Sequence, residues 1–250
     1  MRAVLVSRYP RVDTIAWKRQ VGGALLDAGV DVSLLYSRAS LIDQAWAGLR
    51  EEGWGVLRRY LALRSGGADG EAGASLAYWA EDRGLEVERV HRLGDPRPLC
   101  RLSPDVVLLV GADLVPASLL AVPRLGTINA HFALLPAYRG MNVAEWSVYN
   151  GDPVGVTIHL VDAGIDMGPI LLRERIALEP GDTFESLRRR QRELAARLLV
   201  RGALELGDGL ARPVPQAADE GRQYYRMHPA LRRVAEARLR AQTADVDARA

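Results

Sequence analysis

Gly126-Thr127-Ile128-Asn129-Ala130-His131 reads as a short buried strand that ends on an amide and an imidazole. It runs on into Leu134-Leu135-Pro136 and Tyr138-Arg139-Gly140, and is followed by Gly155-Val156-Thr157-Ile158-His159 and Ile165-Asp166-Met167-Gly168-Pro169. In open α/β sheets ligands bind beyond the C-terminal ends of the strands, so a side chain at position 129 is expected to project into a crevice. An extended backbone sends residues i and i+2 to one face, which lets Asn129 and His131 converge on a single carbonyl. Asp166 follows in a loop bracketed by Gly164 and Gly168, where glycine's backbone freedom lets a carboxylate approach the imidazole. Such a carboxylate is expected to raise the imidazole pKa and keep the ring charged.

The surroundings of this stretch set the fold class. Residues 3–7 are an apolar run suited to a strand buried on both faces, residues 14–28 carry apolar side chains at helical spacing up to Gly29, and Val30 to Tyr36 reads as the next strand. The pattern returns at Val106 to Val110, which ends on Gly111. An α/β fold with an open, mostly parallel twisted sheet and flanking helices is the expected solution. Leu41 to Arg64 reads as a helix, the Gly-rich residues 65–73 as a mobile loop, and Tyr78 to Gly84 and Glu86 to Val90 as a helix and a strand before Pro96 and Pro98 interrupt the pattern. Further on, Val154 to Val161 and Pro169 to Ile176 read as partner strands, and Asp182 or Thr183 as the cap of a long helix ending at Gly207. The expected division is a catalytic domain at 1–207 and a short C-terminal extension at 208–250, with a helix from Pro229 to Arg240 and a frayed end.

Composition excludes several classes. The 33 basic and 31 acidic residues leave a net charge of +2, which creates no general field for polyanions. Cys100 is the single cysteine, so no disulfide or cysteine metal cluster forms within one chain, and a reducing cytoplasm fits. The opening Met1 to Ser7 run is too short for a signal-peptide core or a membrane span. Neither a cluster with metal-ligand spacing nor a Gly-x-Gly-x-x-Gly after a strand is present, so no metal or nicotinamide is expected.

Taken singly, the histidine, the asparagine and the aspartate each have an ordinary reading as core residue, cap and turn residue. Together with their flanking words they resemble the formyltransferase family that uses 10-formyltetrahydrofolate, whose signature is Asn-x-His with a Leu-Leu-Pro-x-Tyr/Phe-Arg/Lys-Gly tail, then Gly-x-Thr-x-His, then Asp-x-Gly. Ile128 to Gly140, Gly155 to His159 and Asp166 to Gly168 match in order, and the resemblance covers about residues 100–200. It implies a Rossmann-like formyltransferase fold with 10-formyltetrahydrofolate as formyl donor. Asn129 would hold the formyl oxygen, protonated His131 would assist the developing charge and shuttle protons, and Asp166 would orient His131. Thr157 and His159 would play structural or supporting hydrogen-bonding parts. The family's pterin pocket maps to Leu114, Val115, Asp162, Ala163, Gly164 and Ile165. No cysteine nucleophile is implied, which leaves Cys100 as plain core.

Within the family, Ser7-Arg8-Tyr9-Pro10-Arg11 stands where glycinamide ribonucleotide transformylases carry a Gly-rich phosphate loop. The residues after the long helix are too few for the tRNA-binding domain of methionyl-tRNA formyltransferases, and the chain enters its first strand where formyltetrahydrofolate hydrolases carry a regulatory domain. The expectation is therefore a formyltransferase acting on a small-molecule amine, with nucleotide-linked amino sugars as first candidates. Expected partners are that amine and folate, without nucleic acid or membrane, and a homodimer is left open. A hydrolase releasing formate is the alternative of the same fold. A nucleic-acid-binding module using arginines near 188–201 and 232–240 is the rival of a different class, although glutamates interspersed with Arg188-Arg189-Arg190 read better as a solvated helix face.

Overall fold

The computed structural model describes residues 1–8, 15–37, 76–112, 114–217 and 219–247. The expected helix at 41–64, the loop at 65–73 and the segment after Arg8 lie outside the described residues. The chain divides into two compact units, Met1–Arg124 and Leu125–Ala250.

In the first unit β1 (Arg2–Arg8), α1 (Ile15–Asp27), β2 (Asp31–Ser37), α2 (Leu76–Asp82), β3 (Val87–Val90), α3 (Arg97–Leu102), β4 (Val106–Leu109) and α4 (Ala117–Leu120) follow one another. The strands pair in parallel in the order β3-β2-β1-β4. Ala3, Val4, Leu5 and Val6 of β1 are all buried, the pattern of a central strand covered on both faces. Two expectations are corrected here. Pro96 and Pro98 do not interrupt regular structure; Pro96 is the N-cap of α3 and Pro98 lies in its first turn, where a missing N–H costs nothing. Cys100 is exposed rather than core, because α3 turns Leu99 and Leu102 inward and its opposite face to solvent.

The second unit contains β5 (Gly126–His131), β6 (Tyr138–Gly140), α5 (Val143–Asn150), β7 (Val154–Leu160), β8 (Ile170–Ile176), α6 (Phe184–Gly207), β9 (Arg222–Tyr224) and α7 (Pro229–Asp247). β7 pairs with both β5 and β8, antiparallel in each case. The short link between β7 and β8 leaves no room for the crossover a parallel pair requires. Thr183 caps α6: its side chain accepts the Ser186 N–H and Ser186 answers the Thr183 N–H, which satisfies two donors at the helix start. The apolar face of α6, with Leu187, Leu194, Leu198 and Leu199, is buried against the sheet. At about 1.5–3 kcal/mol for each such side chain, this packing outweighs the propensity of any single residue.

Residues 208–247 pack into this second unit. α7 lies on α5, with Met227, Ala235 and Leu239 joining Val148, Phe184 and Leu187 in one apolar cluster. β9 runs parallel to β6, with Tyr224 stacked on Tyr138 at 4.9 Å. The final helix does not fray at Arg240; it continues to Asp247 with Thr243 buried. Arg188 and Arg190 are not a plain solvated face either, since Arg188 pairs with buried Glu145, and Arg190 with Glu179 and Asp182. Among the described residues no helix is long and apolar enough to cross a membrane.

Candidate active site

β5 brings Asn129 and His131 toward its C-terminal end, and its register sets Asn129 opposite His159 and His131 opposite Thr157 on β7. Directly opposed residues of an antiparallel pair share a face, so all four side chains stand on one side of the sheet. Asp166 joins them from the loop between β7 and β8. Its Oδ2 lies 3.4 Å from His131 Nδ1 and its Oδ1 lies 3.5 Å from His159 Nε2. Asp166 Oδ2 also accepts the Gly140 N–H at 2.9 Å. Asn129 Nδ2 is 3.3 Å from His159 Nε2, and the two imidazoles meet edge to face at 6.2 Å.

Backbone groups hold the rings. His131 Nε2 contacts the Tyr138 carbonyl at 2.6 Å and His159 Nδ1 contacts the Leu160 carbonyl at 2.8 Å. A carbonyl only accepts, so each of these nitrogens carries its proton. His159 Nε2 then faces both an amide donor and a carboxylate acceptor. His159 Nε2 is thereby the atom that links Asn129 to Asp166. Thr157 is wholly buried, donating to the Ala133 carbonyl at 2.7 Å and accepting the Leu135 N–H at 3.1 Å, which fixes the turn that follows His131.

The Asp166 loop is tightly constrained. Asp166 has φ +53°, a left-handed conformation that aspartate tolerates better than most residues. A Cβ on Gly168 would lie 1.9 Å from the Leu160 carbonyl oxygen, so the loop folds back onto β7 only with glycine at that position.

Burial reverses one electrostatic expectation. The His131 pKa is lowered from 6.5, because burying the imidazolium costs more than the attraction of Asp166 returns, with His159 pushing the same way as burial. The resting ring is therefore neutral at neutral pH rather than charged. For Asp166, burial works to raise the pKa, but the hydrogen bond from His159, the charge of protonated His131 and the Gly140 N–H outweigh it and hold the carboxyl at about 2. Asp166 is thus a carboxylate across the physiological range. A neutral imidazole beside a fixed carboxylate is a proton acceptor whose charged form is stabilised as it appears.

Residues 95–202 match the family model described as formyl transferase. The matched segment is similar to that family over less than half of the chain. Within a methionyl-tRNA formyltransferase of Koribacter versatilis (strain Ellin345), 120 residues are 41% identical, which is 47% of this chain and 38% of that protein. The chain therefore spans well under two thirds of the curated relatives' length. A sugar N-formyltransferase from Shewanella sp FDAARGOS_354 superposes with a TM-score of 0.59 at 16% identity, covering 96% of this chain and 88% of that one. The formyltransferase PseJ from Anoxybacillus kamchatkensis, in complex with UDP-4,6-dideoxy-4-formamido-L-AltNAc and tetrahydrofolate, superposes with a TM-score of 0.51 at 17% identity over 90% of this chain and 85% of that one. At these identities the structures share the fold.

The formyl transferase segment contains Asn129, His131, Thr157, His159 and Asp166, and the structure brings all five together. Asp162, Ala163, Gly164 and Ile165 form an exposed turn ahead of Asp166, with the Gly164 N–H donating to Asp162 Oδ1 at 2.9 Å. In the first unit Leu114 is 82% exposed and Val115 is half-buried. Three contributors escape a reading of residue types. The Tyr138 carbonyl and the Gly140 N–H are backbone groups without a residue signature, and Gln216 reaches the Asp166 loop from outside the formyl transferase segment.

Proposed function

We propose that this chain transfers a formyl group from 10-formyltetrahydrofolate to the amine of a small molecule, with Asn129, His131 and Asp166 as its catalytic residues. The observation that carries this reading is His131 Nδ1 at 3.4 Å from Asp166 Oδ2, with Asn129 on the same face of the same strand. The folate supplies a formyl group activated for attack at its carbon. Asn129 donates an amide N–H to the formyl oxygen, where negative charge develops as the amine attacks. One N–H of that amide faces His159 Nε2 at 3.3 Å, which leaves the second for the substrate. Neutral His131 accepts the proton that the attacking amine must lose, Asp166 stabilises the imidazolium so formed, and the ring returns that proton to the folate nitrogen as its bond to the formyl carbon breaks and tetrahydrofolate leaves. Folate contacts are assigned to Asp162, Ala163, Gly164 and Ile165, where the exposed apolar side chain of Ile165 suits a pterin face. No metal takes part in this scheme. Residues 1–207 carry the chemistry, and 208–250 form an extension that completes the site.

Nucleotide-linked amino sugars are the acceptors to test first, since a protein of the same fold was solved with a nucleotide-linked formamido sugar and tetrahydrofolate. The methionyl-tRNA relatives favour a second reading, in which the amine is that of methionyl-tRNA. Incubating the protein with 10-formyltetrahydrofolate and a panel of amines, nucleotide-linked amino sugars first and methionyl-tRNA alongside, with mass-spectrometric detection of products, separates these. Formate release without any amine would point instead to a hydrolase. Calorimetry that detects no tetrahydrofolate binding would overturn the reading altogether.

A further inference from the structure

We propose that Gln216 is a positioning residue for Asp166, acting through the backbone of the loop that carries it. The inference rests on the formyl-transfer reading of Asn129, His131 and Asp166. Gln216 Nε2 donates to the Asp166 carbonyl at 3.0 Å and to the Gly168 carbonyl at 2.6 Å. A single NH2 group thereby uses both of its hydrogens on the two carbonyls that flank Met167.

Asp166 sits at φ +53°, a region that residues other than glycine populate sparsely, and the Gln216 clamp holds the peptide on either side of Met167. Without the clamp, rotation of the 166–168 peptides would carry the carboxylate away from His131, whose Nδ1 is already at the outer reach of contact at 3.4 Å. Gln216 is itself held on both sides. Val214 exchanges two hydrogen bonds with Ile170, each at 2.8 Å, and the Ala217 carbonyl accepts from Nη2 of buried Arg139 at 3.2 Å. Residues 222–224 then run in register with Tyr138, Arg139 and Gly140. Residues 214–217 therefore hold the Asp166 loop and residues 222–224 hold β6, which supplies the Tyr138 carbonyl to His131 and the Gly140 N–H to Asp166. Among the described residues Gln216 Oε1 is buried without a hydrogen-bond partner, while its NH2 is aimed at the loop.

The test uses the full chain with Gln216→Glu and Gln216→Leu, each alone and combined with Asp166→Asn. Glutamate keeps the size and reach of the side chain but sets a carboxylate against two carbonyls; leucine removes the donor outright. With the acceptor identified by the amine panel, either variant is expected to lower turnover by roughly tenfold or more while KM for the amine moves much less, and to add no further loss in the Asp166→Asn background. NMR titration of the His131 ring should move to lower pH in Gln216→Leu, the direction expected for Asp166→Asn, and should not move further in the double variant. Wild-type turnover and titration, or the same factor of loss with and without Asp166, would overturn the proposal. Thermal melts of each variant separate loss of position from loss of fold. If the wild type formylates no amine, the formyl-transfer reading falls, and the titration cycle alone decides whether Gln216 positions Asp166.

Discussion

Replacing Asp166 with asparagine tests the centre of the site. With Asp166 Oδ2 at 3.4 Å from His131 Nδ1, Coulomb's law at an effective dielectric near 20 gives an attraction of about 5 kcal/mol between carboxylate and imidazolium. That sets a ceiling between three and four orders of magnitude in rate, since about 1.4 kcal/mol is tenfold. Asparagine keeps an oxygen for the Gly140 N–H and admits some water, so a loss of roughly a hundredfold to a thousandfold in single-turnover formyl transfer is the expected outcome. The pH profile carries a second signature. His131 acts in its neutral form, and burial holds its pKa below 6.5, so wild-type activity should decline on the acid side below that pH and stay level above it. Asp166 is the main influence raising that pKa, so its removal should move the acid limb to still lower pH, and NMR titration of the ring should move with it. A variant within threefold of wild type, or a limb that stays in place in a folded variant, would show that the carboxylate does not support the imidazole.

Asn129→Ala and His131→Ala should each lower turnover by about a hundredfold or more, with tetrahydrofolate affinity by calorimetry changed far less; near-normal turnover in either would misplace the chemistry. The Asp166 carboxyl, held at about 2 against an ordinary 3.8, contributes on the order of 2 kcal/mol of stability that is complete above pH 4 and lost as pH falls through 2. Urea unfolding at several pH values should show this for the wild type and much less for Asp166→Asn. Gly168→Ala places a methyl 1.9 Å from the Leu160 carbonyl oxygen and must displace the loop, so it should abolish activity and lower the melting temperature; a crystal structure with the loop in place would contradict this. Thr183→Ala removes the reciprocal cap of α6 and should cost about 1 kcal/mol in denaturant unfolding without altering KM.

The elements of this fold were legible where one physical signal acted alone. Apolar runs located β1, β2, β4 and β5, the i, i+2 spacing brought Asn129 and His131 to one face, and of the two cap candidates Asp182 and Thr183 the structure uses Thr183 to begin α6. Signals that carry two meanings misled. Proline both stops and starts helices, and only the packing of Leu99 and Leu102 shows that Pro96 starts one. The charge state of His131 was read from its neighbour Asp166, but the larger influence is desolvation, which depends on how deeply the fold buries the ring. The Gly140 N–H and the Tyr138 carbonyl belong to the backbone, and no choice of residue announces them. Gln216 stood in view within a plain polar stretch, and its meaning depends on a partner 50 residues away.

The hold that residues 214–217 and 222–224 exert also bears on when the protein becomes competent as it is made. The Asp166 loop and β6 are synthesised well before the segment that ties them down, for Gln216 follows Asp166 by 50 residues and Tyr225, whose carbonyl receives the Trp146 indole N–H, follows Trp146 by 79. A chain emerging from the ribosome can build β5, β7 and β8, with Asn129 and His131 on β5 and Asp166 in the loop between β7 and β8, yet still lack the contacts that Gln216 makes to that loop. Contacts this distant in sequence form late, because a long loop must close before they return any energy. Assembly of the site is thereby deferred until the last segment has returned to it, and a nascent chain stalled before residue 214 would hold the right residues without the right geometry.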